Sequence, residues 1–310
     1  MAQTSQTGKS VRTRRLRRLR TRYLSVQGMG TIGWKVVRFV LLFGLCYIIL
    51  YPFFMKILNA FKGTNDFLDP TIRFLPKHFT LDHILNVIRE IDYFTSLRNS
   101  ALISFVVAFF QMAVSALVGY GFARFKFRFN GLLFFFVILT LIVPPSTIII
   151  PLYLRFRFFA GFINLINTPL PMFILAMTGM GIKNGLYIFL FRQHFRGIPK
   201  ELEEASWLDG CGEFRTFFKI MLPSAKSMLI TSFVLSFSWQ WTDQLYNSLF
   251  FTDLPVLPNM INGVGAGQIP IIVSNYVNIA AILSILPIAL VYVLAQKFII
   301  QSIDSSGLVG

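Results

Sequence analysis

Three histidines, His78, His83 and His194, are the only imidazoles in the chain, and none lies beside carboxylates at metal-ligand spacing. His78 and His83 are five apart near a proline, a spacing that gives no reason to expect a metal site. No His-Glu-x-x-His, no Cys-x-x-Cys and no Gly-x-Ser-x-Gly pattern occurs. Gly8, Lys9 and Ser10 end like a phosphate-binding loop, but the first glycine of that loop is replaced by Gln3, and no strand precedes it. Cys46 sits in an apolar run and Cys211 in a polar one, so no disulfide framework is expected. The residues therefore predict no catalytic group, no metal and no cofactor. What they offer is recognition chemistry in apolar surroundings. Lys183 with Asn184, and Asp243 with Trp239, Gln240, Trp241 and Gln244, interrupt long apolar stretches. A charge there costs about 2.5–3.5 kcal/mol on insertion scales and usually faces a cavity or a partner. Indole faces beside hydrogen-bonding groups suit sugar rings, which have apolar faces and polar edges. Two readings of Asp243 stand side by side: a place on a solute path, or hydration at the outer end of its span. For Lys183 the alternatives are a cavity-facing cation and a side chain that snorkels to the interface.

These residues must be positioned by elements that lipid solvates. Of 310 residues 14% are charged and 55% hydrophobic, and the mean hydropathy is +0.65. Soluble domains run near a quarter charged, which excludes a soluble enzyme. A bilayer core takes about 20 apolar residues as helix, and six runs meet that need: 39–55, 99–123, 129–154, 158–191, 227–251 and 274–296. Pro144 and Pro145 are expected to kink the third, because neither can donate to the helix ladder. The net charge of +16 lies outside the runs. Lys9, seven arginines from Arg12 to Arg22, Lys35 and Arg38 precede the first run with no acid among them. Arg124, Lys126 and Arg128 fill the turn between the second and third. Positive residues stay on the cytoplasmic side, so both termini are expected there. The arginines of the tail point to every side of a helix, which fits a topology signal touching anionic lipid and not a nucleic-acid arm. Residues 1–35 are expected to be a disordered basic tail, and 36–310 one six-span domain.

Between the fourth and fifth runs lies a polar segment, 198–223, that reads as two short helices. Pro199 suits a first turn, and Glu201, Glu203 and Glu204 favour the helix N-terminus. Ile198, Leu202 and Ala205 form a narrow apolar stripe, and Gly210 ends the helix by accepting the left-handed conformation. Phe214, Phe217, Phe218 and Met221 recur at helical spacing along the second helix, and Pro223 is expected to stop it. Such a pair could lie on the bilayer, but anionic lipid would repel the acids. A basic protein partner fits better.

Glu204, Ala205 and Ser206, then Asp209 and Gly210, then Ile220, Leu222 and Pro223 resemble the EAA loop of ABC importer permeases, specifically the maltose-type carbohydrate permeases of binding-protein-dependent transport systems. Gly119 to Arg124 with Phe127 and Gly131, Pro144 and Pro145, Ile150 to Tyr153, Trp241 to Leu245, and Gln296 to Phe298 resemble further stretches of that family. The likeness covers residues 40–310. Ser206 replaces the usual Ala, Thr242 the usual Asn, and Asn247 a frequent Pro. The resemblance implies an all-α membrane protein with six spans and a cytoplasmic two-helix loop. It implies a subunit without catalysis of its own, paired with a homologous second permease. Cytoplasmic ATPase subunits would receive the loop, with Glu203, Glu204, Ala205, Asp209, Gly210, Leu222 and Pro223 as its coupling residues and Glu204 meeting a cation. An extracytoplasmic solute-binding protein would deliver a carbohydrate, and Lys183, Asn184, Trp239, Trp241 and Asp243 would border its path. The competing reading is a self-contained secondary transporter or channel. That class favours internal repeats with broken helices; no repeat is visible, and the loop would be left without a purpose.

Overall fold

The computed structural model describes residues 26–307, with side chains described from 34 to 298. Of the basic tail, residues 1–25 lie outside the described residues; its last part is helical, since α1 runs Val26–Ala60. No strand occurs among the described residues, only isolated bridges such as Lys62↔Phe79. By contact the chain divides at Asn59, so α1 stands as one unit and the remainder as another. Trp34–Ala60 is long and apolar enough to cross a membrane.

The second unit opens with two short helices, α2 (Thr64–Leu68) and α3 (Asp82–Glu90), followed by the long α4 (Tyr93–Arg124). Then come α5 (Asn130–Ile142), α6 (Pro145–Arg157), α7 (Leu170–Met177) and α8 (Asn184–Gly197). The polar segment supplies α9 (Glu201–Leu208) and α10 (Glu213–Ser224). After it follow α11 (Lys226–Thr242), α12 (Leu245–Phe250), α13 (Leu257–Met260) and α14 (Pro270–Gly307).

α4 is the central post. Ser96, Ser100, Ser104, Ala108, Gln111, Ser115 and Gly119 are buried along it, a small-residue stripe of the kind that lets membrane helices approach closely. At Gly119 the fit is tight: a Cβ would stand 2.6 Å from Phe191 Cβ on α8. Gly185 likewise lets α8 meet α5, since a Cβ there would lie 2.7 Å from the Val137 carbonyl oxygen. One core joins α4, α8 and the polar segment through Tyr120, Phe191, Phe195, Phe217 and Met221. Another joins α3, α11 and α14 around Val87, Trp241, Tyr276 and Ile279.

The expected continuous runs are modified at three places. Three helices qualify as spans by length and composition, and up to five if each bent pair counts as one. At Val143 and Pro144 the chain turns by 101° between α5 and α6, so the third run is broken into two helices. The run 158–191 is not one helix: α7 has 8 residues, and Gly179 and Lys183 take positive φ before α8 begins. The fifth run ends early, because Asp243 leaves the helix with extended backbone. Pro223 does not stop α10, which continues to Ser224 and passes into α11 through a 77° bend.

Candidate functional site: the two-helix segment and a polar layer

Gly210 has φ +77°, the left-handed turn expected from the sequence. The face α9 turns inward is not its apolar stripe. Glu203 and Ser206 are buried, whereas Leu202, Ala205, Trp207 and Leu208 are exposed, Leu208 at 89%. The cause is a cation supplied by another element. Arg124, at the end of α4, sets Nε 3.2 Å from Glu203 Oε2, with both side chains only 6% exposed. Its Nη2 donates to the Ile198 carbonyl at 2.6 Å. A buried carboxylate needs such a partner, and pairing it rotates the apolar residues outward. Ser206 and Thr216 join their hydroxyls at 2.8 Å, tying α9 to α10. The serine that departs from the resembled family thus gains a partner here.

The aromatic stripe of α10 also divides. Residues 217–221 form a π turn in which Phe217 and Met221 are buried, and the Tyr120 ring packs at a tilt against Phe217, 4.9 Å between ring centroids. Phe214, at 76% exposure, and Phe218 point away from that core. Glu204, Ala205, Leu208 and Phe214 are thus all exposed, an acid and apolar side chains alike. Asp209 is exposed at the turn, and Leu222 packs against the buried cluster next to Pro223.

Higher in the bundle three helices place polar groups at one level. Gln111, Asn184 and Trp239 each lie thirteen residues from the helix end nearest the polar segment, Arg124, Gly197 and Lys226 respectively. At the helical rise that is about 20 Å. Asn184 donates to Ser115 Oγ at 3.0 Å, and Ser236 donates to Gln111. Gly181 makes room for this contact, since a Cβ there would collide with the Gln111 amide. Gln111 Nε2, Asn184 Oδ1, the Tyr187 hydroxyl and Gln240 Oε1 are buried without a protein partner. Lys183, exposed and left-handed at φ 59°, holds Nζ 5.2 Å from the centre of the Trp239 ring, itself 46% exposed. A cation over an indole face is a favourable pairing.

The other two expected path residues sit differently. Trp241 is 2% exposed, and its indole N–H donates to the Ser284 carbonyl at 3.0 Å. Asp243 accepts the Tyr246 and Asn247 amides at 2.9 and 3.1 Å, and so closes the start of α12. The structure brings Lys183, Asn184 and Trp239 to one layer and gives Trp241 and Asp243 partners within the chain. Sequence reasoning missed Arg124, Gln111, Ser115 and Ser236. The signal for three of them was polar residues set among small ones along α4 and α11.

Residues 96–305 match the family described as binding-protein-dependent transport system inner membrane component. The chain is 27% identical to the inner membrane ABC transporter permease protein YcjP of Escherichia coli (strain K12), over 85% of this chain and 92% of the relative. It is 28% identical to the arabinooligosaccharides transport system permease protein AraQ of Halalkalibacterium halodurans, over 90% and 95%. It is 26% identical to the lactose transport system permease protein LacG of Rhizobium radiobacter, over 87% and 95%. A crystal structure of a bacterial ABC transporter involved in the import of the acidic polysaccharide alginate shares the fold, with TM-score 0.72, 18% identity and coverage of 86% of this chain and 96% of that one. A match over more than half of its length places this chain in the family of binding-protein-dependent transport system inner membrane components.

Proposed function

We propose that this chain is the carbohydrate-translocating permease subunit of an ABC importer, and that an oligosaccharide is its solute. The observation that carries this reading is the outward face of α9 and α10. Glu204, Leu208 and Phe214 stand exposed while Glu203 is spent on an internal ion pair. Exposed acidic and apolar side chains on helices braced from within suit a groove on a cytoplasmic ATPase. Relatives named for arabinooligosaccharides and lactose support the solute class. A homologous second permease completes the pathway, and an extracytoplasmic solute-binding protein feeds it. The test is reconstitution: proteoliposomes holding both permeases and the ATPase should take up oligosaccharide only with ATP and the binding protein. Uptake by this chain alone, driven by an ion gradient, would favour the self-contained transporter instead.

Six spans with both termini in the cytoplasm are part of the same proposal, with α7 and α8 together making the fourth crossing. In a background with Cys46 and Cys211 replaced, Arg128→Cys should stay unlabelled by an impermeant thiol reagent added outside intact cells. Thr252→Cys should label. Both positions are exposed, so absence of label at 128 cannot be ascribed to burial, and labelling there would reverse the topology.

Lys183 and Trp239 border the path directly, and Asn184, Trp241 and Asp243 hold its wall. Trp239→Ala removes an exposed aromatic face, and uptake should fall about tenfold or more, in keeping with the 1–3 kcal/mol that such contacts carry. Lys183→Gln should do the same, with assembly of the subunits unchanged. Asp243→Asn keeps an oxygen for the two amides and should transport nearly normally, whereas Asp243→Ala should lose about 1 kcal/mol of capping. Unaltered uptake kinetics in Trp239→Ala and Lys183→Gln would take both residues off the path.

A further inference from the structure

A pocket of about 540 Å³ lies among residues 63–86 and 268–276, away from both features described above. Its floor is a hydrogen-bond relay across three helices, α2, α3 and α14. Asn86 donates to the Tyr276 hydroxyl at 3.2 Å, and His83 Nδ1 lies 3.5 Å from the same oxygen, with Nε2 3.4 Å from Thr64 Oγ1. These long contacts leave the imidazole, only 6% exposed, with hydrogen-bonding capacity to spare. At the rim Phe79 is exposed and stacks on Phe61, 5.0 Å between centroids. The wall is fixed in advance. Asp66 is buried and accepts the Lys77 and His78 amides at 2.8 and 2.9 Å and the His78 ring nitrogen at 2.7 Å. Burial alone would raise that carboxyl, but the bonds from His78 and Lys77 outweigh it and hold Asp66 below its ordinary value. The Gly63 and Thr80 amides close the opposing bridge at 3.0 Å each. A site braced in this way loses little on ordering when a ligand arrives.

The charge pattern selects among ligands. Burial pushes the His83 imidazole below its ordinary value, against the opposing influence of Asp82, so it is neutral at pH 7 and can both give and take a hydrogen bond. His78 is already engaged by Asp66, and Asp82 places a carboxylate in the lining, which disfavours an anion. Neutral donors and acceptors beside two aromatic rings match hydroxyls and an apolar ring face, and the volume falls in the range of small-molecule sites. We infer that this pocket is a binding site for a neutral carbohydrate ring, separate from the Lys183–Trp239 layer. The inference rests on the permease reading for its ligand class and for the extracytoplasmic side on which the pocket then opens. There it would receive one end of the solute before the path is entered.

The central measurement needs no ATPase and no binding protein; those enter only as controls. The full chain in nanodiscs is titrated by calorimetry with maltotriose, lactose and arabinotriose, and with digalacturonate as the anionic counterpart. At least one neutral sugar should bind. Tyr276→Phe, which removes only the hydroxyl joining His83 and Asn86, and Phe79→Ala, at an exposed rim position, should each weaken it about tenfold. Three results would overturn the proposal: no neutral sugar binding to the wild-type chain, undiminished binding in both variants, or digalacturonate binding as tightly. A fourth would be loss of solute-binding-protein capture in Phe79→Ala with sugar affinity unchanged, which would make the pocket a protein-docking surface. Sugar binding that persists when the assembled complex shows no ATPase stimulation would leave the pocket standing and count against the coupling step alone.

Discussion

Glu204→Ala and Gly210→Pro are each expected to abolish solute-stimulated ATP hydrolysis in the assembled importer, while the chain still inserts in the membrane and pairs with its second permease. The two act by different routes. Glu204 sits on the exposed side of α9 and becomes desolvated only in a partner's groove. Truncating one member of a desolvated charge pair costs about 2–5 kcal/mol, largely by stranding the other charge. At 1.4 kcal/mol per decade that is about thirtyfold or more in affinity for the ATPase. Gly210 holds φ +77° with open space around it, so a side chain would fit but proline's ring would not reach that φ. The turn would open and α9 would lose its angle to α10. A cysteine replacing Glu204 should cross-link to the ATPase subunit; one replacing Glu203 should not, since that side chain faces Arg124. Normal ATPase stimulation in both variants would deprive the loop of its coupling role.

The second large effect concerns stability. Arg124→Ala leaves Glu203 buried without its cation, and Glu203→Ala does the reverse. Breaking a buried pair from one side costs about 3–5 kcal/mol, far more than an exposed pair is worth. Arg124→Ala forfeits in addition the bond to the Ile198 carbonyl, so it should be the more damaging of the two. Thermal unfolding of the purified full chain and protease sensitivity at residues 198–212 are the measurements. The exchanged variant, Arg124→Glu with Glu203→Arg, should recover part of the lost stability, because it restores the pair although not the carbonyl bond. If the single variants melt with the wild type, or the exchange is no better than either, the pair does not brace the loop.

What could be read from the sequence divides along physical lines. Membrane residence, the all-helical class and the positions of the apolar stretches follow from composition, because each stretch of backbone in lipid must satisfy its own hydrogen bonds. Gly210 was legible for a similar reason: a left-handed turn between two short helices restricts the residue that occupies it. The spacing from Glu204 to Pro223 carried the family. The breaks were harder. A window of hydropathy sums side chains and is blind to backbone conformation, so the positive φ of Gly179 and Lys183 divides 158–191 without changing its apolar total. Pro144 announced a bend, but its 101° magnitude depends on what α5 and α6 pack against.

Which face of α9 turns inward was decided by the tertiary structure alone. Periodicity marked Leu202 and Ala205 as part of an apolar stripe but did not say which face would be buried. Arg124, distant in sequence and brought close by the packing of α4 on α8, made burial of Glu203 favourable instead. The same holds for the polar layer. Gln111, Asn184 and Ser236 are isolated polar residues in three separate apolar stretches, and only the common depth of their helices makes them one assembly. The sequence by itself determined that this chain lives in a membrane, that it is helical, and that it carries a polar two-helix segment between its apolar stretches, since these depend on local composition and spacing. The inward and outward faces of that segment, and the grouping of the chain's intramembrane polar residues, were left to the fold, because a buried charge is stable only where a distant partner meets it.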